Sequence, residues 1–480
     1  MRLGQTSFVL FLTKLASSLL GFVATVYFAR ALGEEVLGYY YLILAVVTWL
    51  AVGGNVGLTK AVKKRVSEGQ EPERYVGGAV LIMAGMIVAI TGSLLLFRRQ
   101  VDAYVGVSAI EFIVLILIAK LVLALVLATL EGQHLVHVSG VLSVTKKGTQ
   151  SLLQIGLVIA GFELAGMLVG YVIATLLAAI VGLWYLGLRP GRPARRHVDS
   201  LVDFAKYSWL GGMRSKTFSF VDVLVLGFFV PAGLIGVYSV AWSVAKILDL
   251  FSTAINTTLF PEMSKVATAG DREAVSALTE DALTYAGLFL IPGLVGAILI
   301  GDRLMLVYGE GFGIGYDVLW ILVVAVLVYA YMKQLLNTLN AIDRPDLAFR
   351  ANAVFVVANI VLNVVFVSQF GWVGAAVATA IAAVIGLLVA FRYTRPRVAF
   401  RIPSLEIGRQ VVAGLTMGVI VYGGRLVGET TALADFNEAF VLVLVGVGAT
   451  VYFTVLLTIS AELRTVVTRN LPFDLPVVGS

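Results

Sequence analysis

The sequence predicts an all-α polytopic membrane protein of fourteen transmembrane helices: two parallel six-helix lobes followed by two further helices. Three observations carry that prediction. Of the 480 residues, 59% are hydrophobic and only 13% charged, whereas a soluble domain has about 45–50% apolar and about 25% charged residues; the mean hydropathy is +0.96. Apolar runs of about 20 residues recur to the end of the chain, each long enough to cross a roughly 30 Å hydrocarbon core as a helix. Finally, a short motif near the start of the second run returns near the start of the eighth.

Taken in order, low-charge windows place spans near 7–29, 38–57, 76–97, 107–131, 139–161, 165–188 and 206–230, then 233–258, 281–302, 315–341, 350–369, 372–393, 406–427 and 436–461. The first run is too long for a signal-peptide core and lacks a clear cleavage site, so no cleavable leader is expected. The repeated motif is Gly-Glu-Glu-Val-Leu-Gly-Tyr-Tyr-Tyr at 33–41 and Pro-Ala-Gly-Leu-Ile-Gly-Val-Tyr-Ser at 231–239. It pairs Gly38 with Gly236 and Tyr40 with Tyr238. An even number of spans separates the copies, so both enter the membrane in the same direction, which makes a parallel repeat. The expected organisation is an N-terminal lobe at 1–188, a basic linker at 189–205, a C-terminal lobe at 206–393 and two additional helices with a tail at 394–480.

Lysine and arginine concentrate on one side of the predicted membrane. Lys60, Lys63, Lys64, Arg65 and Arg74 follow the second span, Arg189, Arg192, Arg195 and Arg196 the sixth, and Arg392, Arg395, Arg397 and Arg401 the twelfth. Basic connections stay in the cytoplasm, so a multi-pass protein of the cell (plasma) membrane is expected with both termini inside. The net charge of +6 follows from this topology, and nucleic acid is not expected as a partner. Cysteine is absent, which excludes disulfides, thiol nucleophiles and thiolate metal sites. The three histidines, His134, His137 and His197, fall near polar connections without a carboxylate cluster, so neither a metal site nor a cofactor is expected.

Ionisable side chains inside spans are costly and normally face a bundle interior or a wet cavity. The seventh span carries Arg214, Lys216 and Asp222, and the eighth carries Lys246 and Asp249, close enough to pair on one helix face. Lys14, Lys146, Lys147 and Lys333 lie within a few turns of cytoplasmic ends, where snorkelling could also account for them. Lys120 lies further in, and Asn337 follows Lys333 at helical spacing. Asn359 and Asn363 suit interhelical hydrogen bonds. Across these sites cations outnumber acids. Arg214 and Lys216 have one acid nearby, so a buried cationic excess there calls for an anion, and phosphate suits a guanidinium well. The candidate substrate-binding residues, for phosphate or sugar in a central cavity, are therefore Arg214, Lys216, Asp222, Lys246, Asp249, Lys14, Lys147, Lys333 and Asn337. No catalytic residue is expected.

Four segments resemble a known family. Ala29-Arg30-Ala31-Leu32-Gly33 with Gly38-Tyr39-Tyr40, Leu259-Phe260-Pro261-Glu262-Met263-Ser264, Leu339-Asn340-Ala341-Ile342-Asp343-Arg344-Pro345, and Asn359 with Asn363 through Gly371-Trp372-Val373-Gly374 to Thr379 resemble the polysaccharide transporters, the Wzx-type flippases. That resemblance implies a MATE-like fold within the multidrug, oligosaccharidyl-lipid and polysaccharide exporter superfamily. It also implies a lipid-linked oligosaccharide on an undecaprenyl or dolichyl carrier, flipped from the cytoplasmic to the outer leaflet by alternating access. Membrane lipids, glycan-assembly enzymes and a monomeric state complete the expected partners. A multidrug or small-molecule exporter of the same superfamily is the alternative transporter, disfavoured by the cationic excess. A membrane-embedded glycan-processing enzyme would need catalytic carboxylates or a metal-binding acidic motif on a sizeable loop. The chain has no Asp-X-Asp and its predicted outer loops are short.

Overall fold

In an apolar bilayer every backbone N–H and C=O must find its partner within the chain, and an α-helix does this locally. The computed structural model describes residues 3–208 and 210–470, and their side chains except at 3–19, 206–208, 210–215, 433 and 466–470. Among the described residues all regular elements are helical. They are α1 (Leu3–Asn55), α2 (Leu58–Ser67), α3 (Pro72–Leu96), α4 (Arg98–Val105), α5 (Ile110–Gly132), α6 (Val136–Ile159), α7 (Glu163–Tyr185), α8 (Arg195–Ser208) and α9 (Leu210–Phe229). Then follow α10 (Ala232–Ile247), α11 (Asp249–Thr268), α12 (Arg272–Ala286), α13 (Leu290–Leu306), α14 (Tyr316–Ala341), α15 (Pro345–Thr394), α16 (Ser404–Gly428), α17 (Asn437–Ile459) and α18 (Ala461–Asn470).

A helix lies at each predicted span, and nine described stretches are long and apolar enough to cross a membrane. The bent pair α10 and α11, angled by 45°, makes a tenth if taken as one span. The helices α1 and α15 each hold two predicted spans, because α1 breaks at Gly33 (φ 78°) and α15 at Gly371 (φ 59°). Both breaks use a positive φ that glycine alone adopts without steric cost. Proline opens α3 and α15, where its fixed φ suits the first helical turn and its missing N–H goes unneeded. Large apolar side chains such as Leu81, Val88 and Leu96 on α3, Ile180 and Trp184 on α7, and Val419 and Leu442 on α16 and α17 are exposed. Such a surface suits lipid, and the chain is a multi-pass membrane protein.

The chain divides into two compact units, Met1–Ser239 with Asn363–Trp372, and Val240–Leu362 with Val373–Ser480. In the first unit, α2 lies as an amphipathic helix whose Leu58, Ala61, Val62 and Val66 are buried at the three- and four-residue spacing of one face. It packs on α5 and α8. The repeated glycines meet reciprocally: a Cβ on Gly38 would lie 1.8 Å from the Ala232 carbonyl oxygen, and one on Gly236 2.0 Å from that of Glu34. Only glycine permits backbones to cross so closely. The two motif copies thus pack against each other, and each explains the other's glycine. The repeated tyrosines are both buried: Tyr40 accepts from Gln154 Nε2 at 3.0 Å and Tyr238 donates to Asp222 Oδ2 at 2.5 Å.

In the second unit, α16 and α17 form a hydrophobic core with α13 around Met417, Val421, Phe440, Leu444 and Tyr452. Asn359 donates to Thr379 Oγ1 at 3.1 Å, joining the two arms of α15, which is the interhelical role its sequence position suggests.

Candidate functional site

Where α1 ends, the chain must turn sharply to lay α2 against α5. Val56 (φ 38°) and Gly57 (φ 80°) make that turn with two consecutive left-handed residues. Asn55 secures it: its amide donates to Thr59 Oγ1 at 3.0 Å and its oxygen accepts the Thr59 N–H at 3.0 Å. The side chain thereby satisfies one of the donors left open at the start of α2. The turn brings Lys60 to the rim of a cavity of about 250 Å³ that is also lined by Thr48, Asn55, Thr59, Lys120 and Lys216.

Lys120 is the deepest of the three lysines. It sits about 15 Å from the start of α5 and about 18 Å from its end at 1.5 Å per residue. Its ammonium donates to the Oγ1 of buried Thr48 at 2.7 Å, which leaves donors for another acceptor. Lys216 enters from α9 and Lys60 from α2, so the cavity is lined by three lysines, and among the described residues no carboxylate lines it. Like charges gathered in one cavity repel, and an anion relieves that repulsion. A phosphate oxygen accepts charge-assisted hydrogen bonds from ammonium groups, and several lysines can share one phosphate group.

A second polar track crosses the first unit. Lys146 lies 4.0 Å from the Tyr171 ring centroid and donates to Gln150 Oε1 at 2.7 Å. Gln150 Nε2 donates to Gln154 Oε1 at 3.3 Å, and Gln154 Nε2 reaches the Tyr40 hydroxyl and the Met167 carbonyl. Lys147, the neighbour named from sequence, is exposed on α6.

The second unit treats its polar residues differently. Asp249 opens α11 immediately after the bend, and both of its oxygens accept from Lys333 Nζ, at 2.9 and 3.0 Å. Lys333 also donates to Thr253 Oγ1 at 3.0 Å, Gln334 to Ser252 Oγ at 3.3 Å, and Asn337 to Asn256 Oδ1. These contacts form a polar zipper between α11 and α14, with Asp249, Thr253 and Asn256 on one helix facing Lys333 and Asn337 on the other at three- and four-residue spacing. Lys246, at the end of α10, lies 5.3 Å from the Trp242 ring centroid, within range of a cation–π contact.

Of the residues singled out from sequence, the structure brings Lys216 into the cavity, joins Asp249 to Lys333, and sets Asn337 on Asn256. Asp222 is buried against Tyr238 instead of facing the lysine cavity. The side chains of Arg214 and Lys14 lie outside the described residues. Sequence reasoning placed Lys60 among the cytoplasmic basic residues and missed its place in the cavity. The signal that could have found it is the polar run Asn55…Thr59-Lys60 directly after an apolar span.

Known proteins share this architecture. The family model described as "Polysaccharide biosynthesis protein" matches residues 3–267. The probable flippase AglR of Haloferax volcanii is 30% identical over 471 residues, covering 96% of this chain and 97% of that protein. Among solved structures, the lipid II flippase MurJ in an inward closed conformation superposes with a TM-score of 0.78 at 18% identity, over 96% of this chain and 99% of its own. An inward-facing MATE-family multidrug resistance transporter of the MOP superfamily gives 0.67 at 15% identity, over 80% and 94%. At these identities the structural likeness establishes the fold, which is MATE-like.

Proposed function

The chain belongs to the polysaccharide biosynthesis protein family, and on that premise we propose that it is a flippase, not an enzyme, carrying a lipid-linked saccharide from the cytoplasmic to the outer leaflet. The single observation that carries this reading is the cavity that gathers Lys60, Lys120 and Lys216, with no carboxylate lining it among the described residues. An anionic phosphate linking sugar to lipid is the chemistry it suits, whereas a cationic drug would be repelled.

In the proposed cycle the phosphate enters past Lys60, passes Lys216 and engages Lys120 near mid-span, while the sugar follows through polar surroundings and the lipid tail stays in the bilayer. Arg214, two residues before Lys216 in sequence, is proposed for the same phosphate on sequence grounds alone. The remaining sequence-named residues, Lys14, Lys147, Lys246, Lys333, Asn337, Asp222 and Asp249, serve the sugar or the helix packing that changes as the site opens to each side in turn. The proposed topology has fourteen spans, both termini in the cytoplasm and the plasma membrane as host. Its lobes cover 1–188 and 206–393, joined by 189–205 and followed by 394–480. The carrier is undecaprenyl or dolichyl, the transporter acts as a monomer, and glycan-assembly enzymes supply and consume its cargo.

Reconstitution into liposomes with a fluorescent lipid-linked oligosaccharide tests this. The wild type should move label between leaflets, and Lys120→Gln and Lys216→Gln should slow it strongly. Equal rates in wild type and both variants would reject the cavity as the cargo site.

A further inference from the structure

The segment 189–205 reads in sequence as a linker, yet it is fastened to the first unit. Gly191 N–H donates to the Glu73 carbonyl at 2.8 Å, and a Cβ on Gly77 would lie 1.9 Å from the Gly191 oxygen, so α3 and the segment touch backbone to backbone. At the centre is Glu71, held at φ 48°, a left-handed conformation uncommon outside glycine. Its carboxylate accepts from Arg74 Nη1 at 2.5 Å, Arg196 Nη2 at 2.6 Å and His197 Nε2 at 2.9 Å. The His197 ring is 1% exposed, its Nδ1 accepts the Ala194 N–H at 3.0 Å, and Tyr75 packs edge-on to it at 4.9 Å. Its Nε2 therefore points at the Glu71 carboxylate. His197 foremost, with Arg196 and Arg74, holds the Glu71 carboxyl below its ordinary value. Nearby, Lys64 of α2 lies 4.8 Å from the Phe204 ring of α8.

This clasp ties the turn that follows α2 to the first turn of α8, the helix that precedes α9 in the chain. Lys60 rides on α2, which Glu71 follows closely, and Lys216 rides on α9, which α8 leads into. We infer that Glu71, with Arg196 and His197, is a positioning cluster that sets the spacing of Lys60 and Lys216 and so tunes the affinity of the cavity for phosphate. The inference rests on the cavity being the anion site. It assigns to the interlobe segment a role in binding that its sequence position does not suggest.

The test uses inorganic pyrophosphate as the probe and spin labels as a ruler. The chain has no cysteine, so Ser67→Cys on α2 and Val202→Cys on α8 give two labels and no others. Glu71→Gln keeps the shape of the side chain, and Arg196→Gln removes one partner at a site 69% exposed, where folding is undisturbed. Each should broaden the label-to-label distance distribution and weaken pyrophosphate binding by about fivefold or more, a typical size for coupling between sites. The clasp is overturned if the distribution stays sharp, or if pyrophosphate affinity is unchanged while Lys120→Gln and Lys216→Gln still lower it. Should those two lysine variants bind pyrophosphate as the wild type does, it is the cavity reading that falls.

Discussion

In the first unit, Lys60, Lys120 and Lys216 share a cavity with no carboxylate lining it among the described residues; in the second, Lys333 is gripped by both oxygens of Asp249 and by Thr253. The four lysines look alike in sequence, each a cation in or beside an apolar run. On the proposed reading, their surroundings separate them by purpose. A cation neutralised by its own chain contributes to helix packing and has little attraction left for a ligand, whereas cations gathered in one cavity raise the local potential and favour an anion. The difference teaches that intramembrane charge has to be judged by its partners and not by its depth.

The comparison needs a yardstick for a purely structural effect, and the crossing of the repeated motifs supplies the largest. Gly38→Ala would push a methyl group to within 1.8 Å of the Ala232 carbonyl oxygen, and backbone cannot swing aside as a side chain can. Overpacking typically costs about 1–3 kcal/mol and more where nothing yields, so folded protein should fall steeply in size-exclusion profiles. Gly85→Ala, where nothing lies within 4 Å, should be silent.

Next in size is the cavity. Lys120→Gln with Lys216→Gln should reduce flux by about 100-fold, since charge-assisted hydrogen bonds contribute about 1.5–3 kcal/mol each. Thermal stability should hold or rise, because like charges are relieved. A double variant that unfolds at lower temperature would show that these lysines serve packing, and the contrast between the units would collapse.

Asp249→Asn should do the opposite. It removes the negative charge facing the Lys333 ammonium, whose side chain is only 13% exposed, and should cost about 2 kcal/mol, below the 3–5 kcal/mol of a fully buried pair because both partners keep some solvent. Replacing both partners together, Asp249→Leu with Lys333→Met, should recover most of the lost melting temperature. A loss of flux in Asp249→Asn that exceeds its loss of stability would move Lys333 into the cargo path.

What was legible in the sequence follows the range of the interactions involved. Apolar runs are local, so a helix stands at every expected span. The Gly38 and Gly236 correspondence was visible because duplication writes the same contact twice. Asp249 was less legible: Lys246 stands three residues before it, but its partner Lys333 is 84 residues away. The bend after Ile247 separates the helix faces that the spacing rule assumes continuous. Lys60 was hidden by a true regularity, since it does belong to a basic connection, and only the left-handed turn at Val56 and Gly57 carries it to the cavity rim. The Glu71 clasp was illegible for a similar reason, because an arginine-rich segment with proline and glycine reads as a linker until its partners on α3 are known.

The smallest effect concerns a charge cluster of the second unit at the end of α16 and the last turn of α13. Glu429 accepts from Arg425 Nε at 3.0 Å and Arg303 Nη2 at 3.1 Å, and Arg425 also forks onto Asp302 at 2.9 and 2.7 Å. The Arg425 guanidinium, then Arg303, holds the Glu429 carboxyl below its ordinary value. A carboxylate depressed in the folded state adds stability above its unfolded value and loses it as pH falls through its folded one. Glu429→Gln should therefore lower the melting temperature slightly at pH 7, and the gap from wild type should close as the pH drops below the carboxylate range. High salt should shrink the same gap at pH 7, because exposed charges are screened. Asp249→Asn should keep its effect in salt, since its lysine is shielded from solvent. If salt erased both differences equally, Asp249 and Lys333 would be no more buried in function than a surface pair, and the division between neutralised and waiting cations would have to be redrawn.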